Sequence, residues 1–135
     1  MRGLEGKVAI IAGAAPGNIG AATAVRLAEE ATAVVATDLN EAAARAVVEE
    51  IRASGGKAIA RAFDISDEAS YKELVDTTIG EFGRLDGLFN VAADLSPGTL
   101  AKDTDVLSVP IDVWRHTMTS HSPATCTASA TRCPS

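Results

Sequence analysis

The sequence has few cysteines, few aromatic residues, fewer basic than acidic residues and no long apolar run. Cys126 and Cys133 are its only cysteines, and two thiols near the carboxyl end are too few for a disulfide framework. Twelve lysines and arginines against eighteen aspartates and glutamates give a net charge of −6. Nucleic-acid binding requires basic stripes, so this charge argues against a nucleic-acid partner. No apolar run approaches the roughly 20 residues that cross a bilayer, and no membrane association is expected.

These absences leave one globular domain as the expectation. A chain of 135 residues, of which 47% are hydrophobic, is long enough to bury a core. Residues 1–7 lack the apolar block of a secretion signal, which predicts a cytoplasmic protein. The cysteines and His121 do not have the tight spacing of zinc ligands, so no metal site is predicted. His116 is expected to face solvent or to pack.

The strongest pattern in the chain is a strand, a glycine turn, a helix and a second strand. The apolar residues 7–12 predict a buried parallel strand, 21–30 an amphipathic helix, and 33–37 another buried strand. The turn between the first strand and the helix reads Gly-Ala-Ala-Pro-Gly-Asn-Ile-Gly from residue 13 to residue 20. Its glycines let the backbone approach a pyrophosphate closely, and the free N–H groups of the helix start favour an anion.

Asp38 closes the second strand at about the distance that a dinucleotide-binding unit requires. A carboxylate there can accept hydrogen bonds from a ribose diol and would repel a 2′-phosphate, which favours NAD over NADP. Two alternatives remain at this point. The glycine turn could belong to any α/β protein, and residues 38–41, Asp-Leu-Asn-Glu, could simply cap the next helix.

The rest of the chain continues the alternation of helix and strand. Apolar spacing predicts a helix over 41–53, a strand over 57–63, a helix over about 67–82 and a strand over 87–91. Ser66 is the predicted cap of the third helix, and Gly83 its end. The order predicts an α/β fold with a Rossmann-like, doubly wound parallel sheet, truncated after about four strands. Ligands of such sheets bind beyond the carboxyl ends of the strands, where Asp64 and Asn90 also fall.

With these residues placed, the chain resembles the short-chain dehydrogenase/reductase family over residues 5 to about 118. The resemblance rests on Gly6-Lys7-Val8-Ala9, the turn ending in Ile19-Gly20, Asp38, Asp64-Ile65 and Asn90-Val91-Ala92-Ala93. It implies an oxidoreductase that passes a hydride between a small-molecule alcohol or ketone and NAD, in a family that is usually homo-oligomeric.

The resemblance also implies roles for single residues. Asp64 would accept a hydrogen bond from the adenine amino group, and Ile65 would pack against the ring. Asn90 would brace the fourth strand, with Ala92 close to the adenosine ribose. Alternatively, Asp64 is an ordinary turn carboxylate and Asn90 a strand-end amide. The predicted cofactor-binding residues are Gly13, Pro16, Gly17, Asn18, Ile19, Gly20, Asp38, Leu39, Asp64, Ile65, Asn90 and Ala92.

The chain departs from the family pattern in its glycine turn and at the end of its first helix. The turn is one residue longer than the family's Gly-x-x-x-Gly-x-Gly, and Pro16 removes an N–H donor. Ala31 stands where a glycine usually closes the helix. Losing a left-handed cap of this kind would cost about 1 kcal/mol.

No catalytic residue is predicted. The family uses a serine, a Tyr-x-x-x-Lys pair and a helix-four asparagine, which all lie later in its chain. The one tyrosine here is Tyr71, which lies inside the third predicted helix and is followed four residues on by Val75. We therefore expect Tyr71 to be a packing or surface residue.

Residues 119–135 contain no leucine, isoleucine, valine or glycine, and they are predicted to form an irregular tail after a domain of residues 1–118. One hypothesis is a change of reading frame near codon 119. Permitted codons for this segment, read two bases along, spell VTLTGYLHGIRHALP, which is close to the family's next helix. The alternative is a natural disordered tail, since its composition cannot fill a core. Sequencing the gene distinguishes the two.

Three functions remain open from the sequence. The first is an NAD-dependent oxidoreductase chain that lacks the catalytic serine, tyrosine and lysine. The second is a non-catalytic nucleotide-binding fragment or a product without a role. The third is a methyltransferase-like domain that binds S-adenosylmethionine, against which Ile19-Gly20 and residues 90–93 argue. The fourth strand is expected to form an open apolar edge, which predicts poor solubility and a doubtful oligomer.

Overall fold

The computed structural model describes residues 3–93, 97–102 and 108–121. Its centre is a four-stranded parallel sheet in the order β3-β2-β1-β4. The strands are β1 (Val8–Ala12), β2 (Ala33–Asp38), β3 (Ala58–Ala62) and β4 (Gly87–Asn90). The helices are α1 (Ile19–Glu29), α2 (Glu41–Ala53), α3 (Glu68–Phe82), α4 (Pro97–Leu100) and α5 (Ile111–His121).

Helices cover both faces of the sheet, which confirms the predicted α/β, Rossmann-like class. On one face, α1 and α2 pack through alanine and valine against Ile11, Val34 and Ala36. The small side chains of α1 let its backbone lie close to the strands. On the other face, Tyr71 and Leu74 of α3 form a cluster with strand residues such as Ile10 and Val35, which alternate along the strands with those of the first face. Side-chain alternation along each strand separates the two cores.

Two helices begin at other residues than the sequence predicted. α1 starts at Ile19 rather than Ala21, because the Asn18 side chain accepts a hydrogen bond from the Ala21 amide and caps the helix. α3 is capped by Asp67, not by Ser66, since the Asp67 carboxylate accepts from the Ala69 amide at 3.0 Å. Ser66 instead donates to Asp64.

Ala31 has a left-handed backbone with φ of 61°, so the cap that the sequence analysis expected to be lost is present despite the alanine. Its amide donates to the carbonyl of Ala28, and its carbonyl accepts from Gly6, so the neighbouring chain fixes this conformation. A Cβ is unfavourable in this conformation, at a cost of about 1 kcal/mol.

β4 is an edge of the described sheet, as predicted, because it pairs with β1 alone among the described strands. Phe89 is 41% exposed. An apolar groove of about 400 Å³ runs beside it, lined in part by Leu4, Ile11, Leu27 and Leu88. The expected poor solubility remains a prediction.

The predicted irregular tail lies outside the described residues from residue 122 onward. α5 continues to His121, three residues beyond Met118, so the helical backbone enters the segment that the sequence analysis treated as irregular. None of the helices in the described ranges combines the length and apolar character needed to cross a membrane.

Candidate functional site

The segments that follow all four strands border one cleft of about 650 Å³ at the carboxyl edge of the sheet. All predicted cofactor-binding residues line this cleft except Pro16 and Asn90. The sequence analysis missed five other lining residues: Phe63, Ser66, Val91, Ala93 and His116. His116 was expected only to face solvent or to pack. It is exposed, and it borders the cleft from α5.

Gly13 and Gly20 bring the backbone of the turn into close contact with neighbouring backbone. A Cβ at Gly20 would lie 2.1 Å from the Gly13 carbonyl oxygen, and a Cβ at Gly13 would lie 2.8 Å from the Ala92 nitrogen. Gly13 also has φ of +90°. Only glycine is compatible with these positions, because either side chain would push α1 or the segment after β4 away from the turn.

Gly17 requires glycine for a different reason. Its φ is +82°, yet a Cβ there would meet no atom of the described residues within 4 Å. The backbone of the turn is therefore left-handed at Gly17 and faces open space. Pro16, which precedes it, is exposed and does not line the cleft.

The start of α1 presents amide groups to the cleft. The Ala21 N–H is capped by Asn18 at 2.8 Å, whereas the N–H groups of Ile19 and Gly20 have no acceptor among the described residues. Unpartnered amides at a helix N-terminus are donors for an anion, and the helix dipole adds to the attraction.

Asp38 ends β2 at the same edge of the sheet. One of its oxygens accepts a hydrogen bond from the Asn40 amide at 3.0 Å, and the other has no donor among the described residues. The adjacent Leu39 is 73% exposed and lines the cleft. Asp38 thus offers a free carboxylate oxygen beside an apolar surface, which suits a ribose attached to a flat ring.

Asp64 forms a small turn with Ser66. Its Oδ1 accepts from the Ser66 hydroxyl at 2.6 Å and from the Ser66 amide at 2.9 Å. These bonds, first that of the hydroxyl and then that of the amide, lower the pKa of Asp64 below its ordinary value, while partial desolvation opposes them. Asp64 is therefore a carboxylate at neutral pH, and its Oδ2 has no donor within the described part of the chain. Ile65 is buried and also borders the cleft.

Asn90 lies at the end of β4 outside the cleft lining. Its Oδ1 accepts from the Ala92 amide at 3.2 Å. This bond holds the chain as it leaves the sheet, beside the Gly13 backbone that Ala92 contacts. Asn90 supports the shape of the cleft from behind rather than bordering it.

The charge of the cleft has one sign. Two carboxylates, Asp38 and Asp64, line it, and none of its described lining residues is lysine or arginine. Within the described ranges, no group of three or more histidine, cysteine, aspartate or glutamate side chains could hold a metal ion.

Tyr71 belongs to the core and not to this cleft. It is only 4% exposed, and its ring centre lies 6.3 Å from that of Phe63. Burial raises the pKa of its hydroxyl. A catalytic tyrosine requires an exposed hydroxyl with a lowered pKa, so packing is the role that the structure gives Tyr71.

The fold and the cleft define an α/β, Rossmann-like architecture, and the family model for short chain dehydrogenases matches residues 7–133. The chain is 45% identical over 101 residues to the 2,5-dichloro-2,5-cyclohexadiene-1,4-diol dehydrogenase of Sphingobium indicum, covering 75% of this chain and 40% of that protein. It is 42% identical over 94 residues to the 7alpha-hydroxysteroid dehydrogenase of Escherichia coli, covering 70% and 36%.

Solved structures agree with the family match. A short chain dehydrogenase from Mycobacterium smegmatis superposes with a TM-score of 0.82 at 26% identity, over 94% of this chain and 50% of that one. The chain therefore belongs to the short-chain dehydrogenase/reductase family. It spans about two fifths of the length of these two curated relatives.

Proposed function

We propose that the chain binds NAD in the carboxyl-edge cleft and serves as the cofactor-binding part of an NAD-dependent oxidoreductase acting on a small-molecule alcohol or ketone. The observation that carries this proposal is the pairing of unpartnered amides at Ile19 and Gly20 with a free carboxylate oxygen at Asp38. The first suits a diphosphate and the second a ribose diol. When bound, NAD would supply the hydride acceptor.

The glycine turn fits the diphosphate on steric grounds. Its backbone is exposed at Gly17, where no atom would meet a Cβ, so a ligand can approach the chain closely. Asp64 and Ile65, which follow the edge strand β3 and line the same cleft, suit the amino group and the face of an adenine. The residues therefore follow the order of an adenosine diphosphate: base, sugar, then phosphates.

The preference for NAD over NADP rests on charge. A 2′-phosphate would enter a cleft with two carboxylates and no lysine or arginine among the described lining residues. At an effective dielectric constant near 20, two like charges 4 Å apart repel by about 4 kcal/mol. We expect NADP to bind at least about tenfold more weakly than NAD.

A non-catalytic nucleotide-binding chain is the second candidate, and Tyr71 is the observation that favours it. The family's Tyr-x-x-x-Lys pair has no counterpart in the 135 residues, and the one tyrosine is buried in the core. We expect the 135-residue chain to bind NAD without oxidising an alcohol.

Isothermal titration calorimetry of the purified chain with NAD and with NADP tests the binding proposal. Saturable NAD binding with weaker NADP binding is the expected result. Equal affinities would contradict the charge argument, and no heat with either cofactor would refute the site. Adding cyclic and linear secondary alcohols and following NADH absorbance then separates the two candidates, because only an enzyme gives a substrate-dependent signal.

A further inference from the structure

The glycine turn is longer than the family pattern by one residue, and the Asn18 side chain bridges it. The Asn18 Nδ2 donates to the Gly13 carbonyl at 2.9 Å, while its Oδ1 accepts from the Ala21 amide at 2.8 Å. One side chain therefore joins the residue that opens the turn to the first turn of α1. Both polar atoms of the amide are used within the protein.

The other end of the turn is anchored to the sheet. The amides of Gly13 and Ala14 both donate to the Thr37 carbonyl at 2.8 Å, and Thr37 is fully buried in β2. The Gly13 carbonyl itself lies so close to Gly20 that a Cβ there would be 2.1 Å from its oxygen. Between these anchors the Asn18 amide donates to the Ala15 carbonyl at 3.2 Å, while Gly17 is exposed and left-handed.

We propose that Asn18 is a positioning residue whose bridge holds the unpartnered Ile19 and Gly20 amides in the geometry that binds a diphosphate. This inference rests on the proposed function, and it revises the role of Asn18 from a direct cofactor contact to a support. A longer turn has more conformations to lose on binding, and a side-chain bridge removes part of that cost in advance. The bridge also replaces some of the rigidity that a shorter turn would have.

Asn18→Ser separates the bridge from the helix cap. Serine is as good an N-cap as asparagine, but its side chain is too short to reach the Gly13 carbonyl while it caps. We expect Asn18→Ser to weaken ADP-ribose binding about fivefold, since one partly buried hydrogen bond is lost. Asn18→Ala removes both bonds and is expected to weaken ADP-ribose binding about tenfold.

Adenosine is the discriminating probe, because it occupies the Asp38 and Asp64 part of the cleft without reaching the turn. Its affinity, measured by ligand-detected NMR on the full chain, should stay within about twofold in both variants. Asp67→Ala removes the N-cap of α3 and supplies a control of similar stability loss. It should leave ADP-ribose binding unchanged.

The outcomes are distinct. Selective loss of ADP-ribose affinity in Asn18→Ser supports the positioning role. Unchanged ADP-ribose affinity overturns it, and so does equal weakening of adenosine and ADP-ribose, which indicates general damage to the fold. If the unmodified chain binds neither adenosine nor ADP-ribose, the proposed function fails first and the inference with it.

Discussion

The polar groups at the two ends of the sheet differ in how fully they are hydrogen-bonded within the protein. At the amino end, Asp86 accepts from Arg84 at 2.6 and 2.8 Å, from the Lys7 ammonium at 3.1 Å and from the Val8 amide at 2.9 Å. At the carboxyl end, among the described residues, the Asp38 carboxylate accepts only from the Asn40 amide, and the amides of Ile19 and Gly20 have no acceptor.

The difference separates stability from binding. The Asp86 cluster joins the start of β1 to the start of β4 and leaves little for a ligand to bind. The carboxyl end keeps donors and acceptors unsatisfied within the protein, which costs some stability and leaves them for a ligand. Changes at the amino end should therefore alter unfolding, and changes at the carboxyl end should alter affinity.

Gly20→Ala should have the largest effect. The new Cβ would lie 2.1 Å from the Gly13 oxygen, so the turn and α1 must move apart. We expect a loss of about 3 kcal/mol in the free energy of unfolding and loss of measurable NAD binding, by denaturant titration and calorimetry. Gly80→Ala is the matched control, because a Cβ at that position of α3 would meet no described atom within 4 Å. It should raise the free energy of unfolding by about 0.5–1 kcal/mol. Near-normal NAD binding in Gly20→Ala would contradict the close packing.

Asp38→Asn should lower NAD affinity about tenfold, because a charged acceptor for the ribose diol becomes neutral. NADP should lose less affinity than NAD, because the substitution also removes the repulsion between Asp38 and the 2′-phosphate. The ratio of NAD affinity to NADP affinity should therefore fall. Asp76→Asn removes the same charge from an exposed position of α3 and should change neither affinity. Calorimetry with both cofactors checks this. Equal losses for NAD and NADP would mean that Asp38 does not repel the 2′-phosphate, and no loss for NAD would mean that Asp38 does not contact the ribose.

Asp86→Asn should reduce stability by about 1 kcal/mol at neutral pH without changing NAD affinity, a value that allows for solvent screening of a partly exposed cluster. Hydrogen bonds from Arg84 lower the pKa of Asp86 most, and those from Val8 and Lys7 add to the shift against partial desolvation. The pKa in the folded state therefore lies below that in the unfolded state. The stabilisation is present above the ordinary value of 3.8 and is lost as pH falls below it.

Urea unfolding at a series of pH values measures this dependence. The difference between Asp86→Asn and the unmodified chain should shrink on acidification below about pH 4. A difference that stays constant through this range would show that the Asp86 charge does not contribute.

Ala31→Gly should have the smallest effect, a gain of about 0.5–1 kcal/mol, because relief of the left-handed strain exceeds the added freedom of the unfolded chain. Ala22→Gly, at an exposed position inside α1, should lower the free energy of unfolding by about the same amount. Thermal melting of the two variants gives shifts of opposite sign. A lower melting temperature for Ala31→Gly would indicate that φ at this residue is not positive.

Most of the fold was predictable because it depends on local signals. Continuous apolar runs predict the buried strands and glycines predict helix ends, so within residues 7–91 only the boundaries of elements differed, whereas α4 was not predicted. The α3 cap went to Asp67 because Ser66 has a better partner in Asp64. The sequence alone does not show whether the Ser66 hydroxyl bonds to Asp64 or caps α3.

The candidate site was predictable only where a motif carried it. The glycine turn, Asp38 and Asp64 have fixed positions relative to the strands, and the cleft contains them. His116 approaches the cleft through the placement of α5, which depends on long-range packing that no local pattern encodes. The Asn18 bridge was missed for a similar reason, since it needs the three-dimensional position of the Gly13 carbonyl.

A crystal structure of the chain grown with NAD tests the central claim most directly. The account predicts diphosphate oxygens within hydrogen-bond distance of the Ile19 and Gly20 amides, and a ribose hydroxyl on Asp38. An empty cleft at saturating NAD, or a nucleotide bound elsewhere on the molecule, would contradict it.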